Sequence, residues 1–166
     1  KGAGPAIGGG GAIERGPHLA HESCGDGAAL FQTDALGGKT EKSAKGWGVG
    51  LHTHRFTEVP DWHDNEEAEF DILVSHQDQV VSNAAHAKVL ASSEFCENAV
   101  CQVGDHILTF QGHPEFVPEY SREIMEFRRK LIGEQVYQAG MASLASAPQQ
   151  ERVARWILNF LRYPGP

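Results

Sequence analysis

The residues best placed by type and spacing to do chemistry are His113 and Glu115, in the stretch FQGHPEFVPEY, residues 110–120. The apolar run ILTF just ahead of them reads as a buried strand. Both side chains would then project near the strand's C-terminal end, where open α/β sheets collect their sites. A neutral imidazole there can take a proton from a thiol or hydroxyl and return it to a leaving amine. A carboxylate on the other ring nitrogen fixes the tautomer. Pro114, between the two, stiffens the backbone. A purely structural reading of the tripeptide stands beside this one: His113 ends a strand, and Glu115 joins the acidic first turn of the next helix, where the dipole favours it.

Two further groups carry possible ligands or nucleophiles. His52, His54 and His63 occur with Asp61, Asp64, Glu66 and Glu67, and a His-x-His pair on a strand puts both rings on one face. No cysteine or fixed-spacing partner completes a tetrahedral set, so no metal is expected. The three cysteines, Cys24, Cys96 and Cys101, form neither a CxxC pair nor an even disulfide framework, and reduced thiols are expected. Cys101 falls in an apolar strand, where a thiol serves as packing. Neither Cys96 nor Cys101 precedes a strand-to-helix turn, the usual seat of a nucleophile.

The elements that must position these residues follow from periodicity. GWGVGLHTHRF alternates Trp47, Val49 and Leu51 with small or polar residues, as a half-buried strand does. FDILVSHQDQVV opens on a buried strand, Phe70 to Val74, and turns polar at Ser75. AKVLASS is a short strand. NAVCQVGDHILTFQGH reads as a hairpin whose Gly104-Asp105 pair suits a type II′ turn. PEYSREIMEFRRKLIGE carries Ile124, Phe127 and Leu131 on one helical face, with Pro118 at its start and Gly133 near its end. QQERVARWILNFLRY sets Val153, Trp156, Ile157, Phe160 and Leu161 at core-facing amphipathic spacing. Strands followed by two helices packed back on them imply a layered α/β or α+β domain.

A chain of 166 residues suits one domain. Its formal net charge of -8 and lack of a basic stripe exclude a nucleic-acid partner. No apolar run reaches the length of a membrane span and no signal peptide is evident, so a cytoplasmic location is expected. Residues 1 to 38 hold 11 of the 19 glycines, show no useful period and read as loop or disorder.

Beyond the tripeptide, ALGGKTEKSAKGWGVGLHTH, LVSHQDQVV, VLASSEFCENA, GDHILTFQGHPEF and PEYSREIMEFRR resemble, in order and spacing, class I glutamine amidotransferases of the stand-alone branch similar to GMP synthase. The resemblance runs from about Ala35 to the C-terminus. It implies a flavodoxin-like α/β/α fold in which a cysteine attacks the side-chain amide of glutamine, forming a thioester and releasing ammonia before water frees glutamate. No metal or organic cofactor is needed for that half-reaction. By the same resemblance His113 is the general base and acid, Glu115 its orienting partner, and Ser75, His76, Gln77 and Asp78 belong to a loop that helps hold glutamine. Capping by Ser75 and Asp78 and packing by His76 are the structural alternatives. A synthase partner and self-association are both open.

The family's nucleophile sits on a crowded strand-to-helix turn of the form G-x-C-x-G, with backbone N–H groups stabilising thiolate and oxyanion. Counting back from Leu36 by the family's spacing lands on Asp26. Cys24, in ESCGDG, is the weak candidate, since Glu22 and Asp26 stand where the elbow needs glycine and two carboxylates raise a thiol's pKa. The sequence therefore divides into an irregular or non-homologous segment, 1–34, and the C-terminal part of an amidotransferase domain, 35–166, with the fold incomplete at its N-terminus. A shifted reading frame, a misassigned start or divergence would each produce that break. Two other functions compete with glutamine hydrolysis: an inactive amidotransferase-like interaction module, and a γ-glutamyl peptidase-type thiol hydrolase.

Overall fold

In the computed structural model the described residues are 36–64 and 67–163, together with the backbone of two short strands, β1 (Gly11–Ile13) and β2 (His18–His21). Cys24 and Glu66 lie outside them. The other strands are β3 (Lys39–Lys42), β4 (Gly48–Phe56), β5 (Glu69–His76), β6 (Asp78–Ser82), β7 (Ala87–Ser92), β8 (Val100–Val103) and β9 (Ile107–Phe110). Three helices follow, α1 (Pro118–Ile132), α2 (Glu134–Ser143) and α3 (Gln150–Arg162).

The main sheet has the order β1-β2-β9-β8-β7-β4-β5, and β3 and β6 pair separately. Its ladders are antiparallel except β2 with β9, which is parallel. β1 and β2 fall inside the glycine-rich segment that reads as loop; three and four residues are too few for a period to show. β4 and β5 share a full ladder from Gly48↔His76 to Arg55↔Glu69. By contrast β4 meets β7 only at Arg55↔Ser92 and Phe56↔Ala91. The sheet is thus two ladders joined by a short seam, and it curls. Beyond the end of β9, His113 forms a bridge with Leu73 of β5, its N–H donating to the Leu73 carbonyl at 2.7 Å.

Helices cover both faces. On one, Val153, Trp156 and Phe160 of α3 pack into Phe56, Phe70, Ile72, Leu90, Val100 and Leu108, so the core-facing spacing read for this helix holds. Trp156 is fully buried, edge-on to Phe56 and Phe70 at centroid distances of 5.2 and 5.1 Å. On the other face Met125 and Ile132 of α1 and Tyr137 of α2 enclose Val49. α1 begins where Pro118 needs no N–H donor and ends at Gly133, whose φ of 84° suits glycine.

Three expectations are corrected. The strand expected over Phe70 to Val74 does not give way to a loop at Ser75: Ser75 and His76 stay in β5, because their backbones pair with Val49 and Gly48. The hairpin loop has Gly104, Asp105 and His106 between the paired residues Val103 and Ile107, one residue more than a II′ turn, although Gly104 does take positive φ, at 58°. The Ile124, Phe127, Leu131 face of α1 is not the one that packs. Ser121, Met125 and Ile132 take that role, while Phe127 is 91% and Leu131 65% exposed. The thin, flexible Met125 suits the narrow space between α1, Val49 and Gly140. α2, a helix the periodicity does not reveal, lies across β4 at the point where Gly50 and Gly140 touch.

Gly50 has φ of 83°, and a methyl group there would lie 2.7 Å from the Gly140 carbonyl oxygen. Gly50→Ala combines backbone strain with a backbone clash and is expected to cost roughly 3 kcal/mol or more of unfolding free energy. Urea unfolding would measure it. A loss below about 0.5 kcal/mol, the range of ordinary surface substitutions, would show that α2 does not press on β4 as described.

Candidate functional site

His113 is 4% exposed, and its Nδ1 lies 2.9 Å from Glu115 Oε1. The backbone sets this geometry. Gln111 N–H donates to the Ala99 carbonyl at 2.8 Å, its side-chain oxygen accepts from Val80 N–H at 3.2 Å, and its side-chain nitrogen donates to the Asn98 carbonyl at 2.7 Å. Gly112 lies against Ile72 so closely that a side chain would not fit without a shift. His113 is then fixed to Leu73, and Phe116 N–H closes the turn on the His113 carbonyl at 3.1 Å. The Phe116 ring stacks on the imidazole at 3.9 Å and 7°. Gln150 of α3 donates to the Phe116 carbonyl, tying the turn to the far helix. One ring nitrogen is thus held by a carboxylate and one ring face by an aromatic. Among the described residues Nε2 has no hydrogen-bond partner. The geometry suits a histidine that accepts and returns a proton through Nε2.

The SHQD residues do not form one patch. Strand alternation sends Ser75 and His76 to opposite faces of β5. Ser75 Oγ, buried, accepts from Arg128 of α1 at 3.3 Å. The His76 ring lies edge-on to Phe95 at 5.4 Å, and its Nδ1 is 3.0 Å from the Asp78 carbonyl. Gln77 lends its carbonyl to Ser43 N–H, and Asp78 opens β6 opposite Lys42. Burial, and to a smaller degree the nearness of His113, disfavours charge on His76.

His76 belongs to a row of histidines on one face of β4 and β5, with buried His54 and half-buried His52. Burial pushes His54 down to about 4, helped by His52; His54 also stacks on Phe70 at 5.3 Å. Burial likewise pushes His76 down to about 4, and lowers His52. His76 Nε2 is buried without a partner among the described residues, an arrangement that costs about 1–3 kcal/mol for a neutral group and far more for a charged one. These rings are therefore neutral near pH 7. They do not gather into a metal site: among the described residues no group of three or more His, Cys, Asp or Glu could hold an ion. His63 instead stacks on Trp156 at 4.7 Å. Cys96 and Cys101 are buried, and desolvation pushes both thiols up to about 12, so neither is an activated nucleophile. A cleft of about 820 Å³ opens along the seam between β4 and residues 92–95, lined by Leu51, His52, His54, Ser93 and Phe95 among others. The dyad is not in its wall.

No family model matches the chain. Among known proteins it is similar to γ-glutamyl peptidase 3 of Arabidopsis thaliana, 30% identical over 145 residues, which covers 78% of this chain and 56% of the relative. It is also similar to γ-glutamyl peptidase 2 of the same plant, 29% identical over 133 residues, covering 76% and 53%. The chain spans little more than half the length of these relatives. Among solved structures it resembles a glutamine amidotransferase of Thermotoga maritima, with TM-score 0.61, 14% identity and 81% of this chain and 57% of that one covered. A second is a GMP synthase-type protein of Thermoplasma acidophilum, with TM-score 0.55, 17% identity and coverages of 81% and 52%. In its fold the chain is like the class I glutamine amidotransferases. Its fold class is the flavodoxin-like α/β fold of those structures, which the motif order in the sequence also implied. Among the described residues of this amidotransferase-like chain, the parallel pairing typical of that fold is confined to β2 and β9.

Sequence reasoning passed over Gln111, Phe116 and Arg128. Gln111 and Phe116 immediately flank the Gly-His-Pro-Glu run, and that adjacency was the available signal. Arg128 carried none, because its partner Ser75 is distant in sequence.

Two outcomes check these environments. His54 and His76 titrate lower folded, at about 4, than the ordinary 6.5. The unfolded chain then takes up more protons between those values. Stability should fall as pH drops through that window, on the order of 3 kcal/mol per histidine. Urea midpoints from pH 7 to 4 would show the slope, and His54→Phe should flatten it; a slope unchanged in that variant would refute the assignment. A thiol reagent near pH 7 should leave Cys96 and Cys101 unmodified until the chain unfolds, as peptide mapping would reveal.

Proposed function

We propose that this protein cleaves a γ-glutamyl C–N bond by thiol catalysis, with His113 as general base and acid and Glu115 as its orienting carboxylate. The supporting observation is the 2.9 Å Nδ1 to Glu115 contact on a ring clamped by Phe116. Cys24 is the thiol this reading assigns. His113 Nε2 takes the thiol proton as sulfur bonds to the γ-carbonyl carbon. The tetrahedral oxyanion collapses with loss of the nitrogen leaving group, which receives that proton. Water, deprotonated by the same imidazole, then hydrolyses the thioester and restores the thiol. Chemistry of this kind needs no metal or organic cofactor.

The side-chain amide of glutamine is itself a γ-glutamyl amide, so glutamine and γ-glutamyl peptides present the same bond. Similarity to amidotransferase structures favours glutamine, and similarity to γ-glutamyl peptidases favours the peptides. In this reading residues 35–166 form the amidotransferase-like unit, with Ser75 to Asp78 on the substrate side and action in the cytoplasm. Among the described residues no helix is long and apolar enough to cross a membrane. A second reading, a binding module without turnover, is favoured by Glu22 and Asp26 beside Cys24.

The test follows glutamate release from glutamine and from a γ-glutamyl dipeptide. Release is expected from at least one, with kcat lowered about 10²- to 10⁴-fold in His113→Ala. A smaller loss is expected in Glu115→Gln, and complete loss in Cys24→Ala. Absence of release from both substrates would establish the second reading, and full activity in Cys24→Ala would remove that thiol from the mechanism.

A further inference from the structure

We propose that α1 is a self-association surface through which two copies of this chain pair antiparallel about a two-fold axis at Phe127. The inference is independent of catalysis. Tyr120, Ile124, Phe127 and Leu131 follow one another at spacings of four, three and four, which places them in one stripe along the helix. An adjacent side about a quarter turn round, Ser121, Met125 and Ile132, is buried against the protein. Phe127 is 91%, Leu131 65% and Tyr120 37% exposed. Single exposed apolar residues are ordinary, whereas a contiguous stripe centred on a bare phenylalanine marks a contact.

The charges say what covers it. On a helical projection Glu123 and Lys130 lie on the same flank of the stripe, one toward each end, with Phe127 between them. Among the described residues neither makes a hydrogen bond or ion pair. Arg129, farther round the helix, is by contrast committed to Glu134 at 2.7 Å and to Glu126 at 3.7 Å. Reversing a second α1 about Phe127 brings Glu123 of each copy to Lys130 of the other, twice by symmetry, and sets the helix dipoles antiparallel. A parallel arrangement would carry the flank with Glu123 and Lys130 to opposite edges of the pair in the two copies, so neither charge would meet its complement. The two-fold arrangement uses the same patch on both copies, so it closes at a dimer. A single helix pair buries less than the roughly 1,600 Å² of a standard interface, so pairing is weak and concentration-dependent.

Sedimentation of the whole chain from low to several hundred micromolar tests this. The average mass should rise from that of one chain toward that of two and stop there. Phe127→Asp, at an exposed position, should leave the melting temperature unchanged and raise the dimer Kd at least about tenfold. Glu123→Lys alone and Lys130→Glu alone should each weaken pairing, and the double reversal should restore it. The proposal is overturned by a chain monomeric throughout, as it would be with another segment or another protein covering the stripe. Growth beyond a dimer, pairing indifferent to Phe127, or a double reversal that fails to restore it would each overturn it as well.

Discussion

A single backbone hydrogen bond, from His113 N–H to the Leu73 carbonyl, holds the end of β9 against β5. The two strands stand far apart in the sheet order, so this contact fastens edge strand β5 to the turn after β9 across the curl of the sheet. It also decides where the imidazole stands. Gly112 permits the approach because Ile72 occupies the space a side chain would need, and Gln111 ties the same turn to β6 and to the segment before β8. The His113 to Glu115 contact is thus a consequence of tertiary closure rather than of the tripeptide itself.

Within that closure, β5 separates two environments. Toward α1, Ser75 meets a guanidinium. Toward the Phe95 side, the buried histidines are held neutral by desolvation and by one another. Neutrality allows several imidazoles to sit together behind the dyad without repulsion near pH 7. Apolar surroundings keep Cys96 and Cys101 inert by the same physics, since burial opposes whichever form is charged.

Local pattern made some of this legible. Trp156 and its neighbours carried a long helical period, and the β-branched, apolar run from Phe70 carried strand character, so both elements were readable. The dyad was readable as residue types at a strand end. The packing face of α1 was not, because its most hydrophobic stripe is the one left in water, and the inward side is chosen by a glycine contact between β4 and α2 far away in sequence. α2 itself, with Gly140 inside it and few apolar residues, offers little period to read. The short seam between β4 and β7 is a matter of which strands meet, and no local pattern reports that.

The seam has a thermal consequence. Along the seam itself only two residue pairs, followed by Thr57 N–H donating to the Leu90 carbonyl, join β4 to β7 through the backbone, while Trp156 and Phe160 span the same line by apolar contact. Continuity of the sheet there rests more on hydration than on hydrogen bonding. Apolar association weakens on cooling. The two ladders therefore separate as cooperative units most readily in the cold, with amide exchange along the inner edge of β4 rising before that within either ladder.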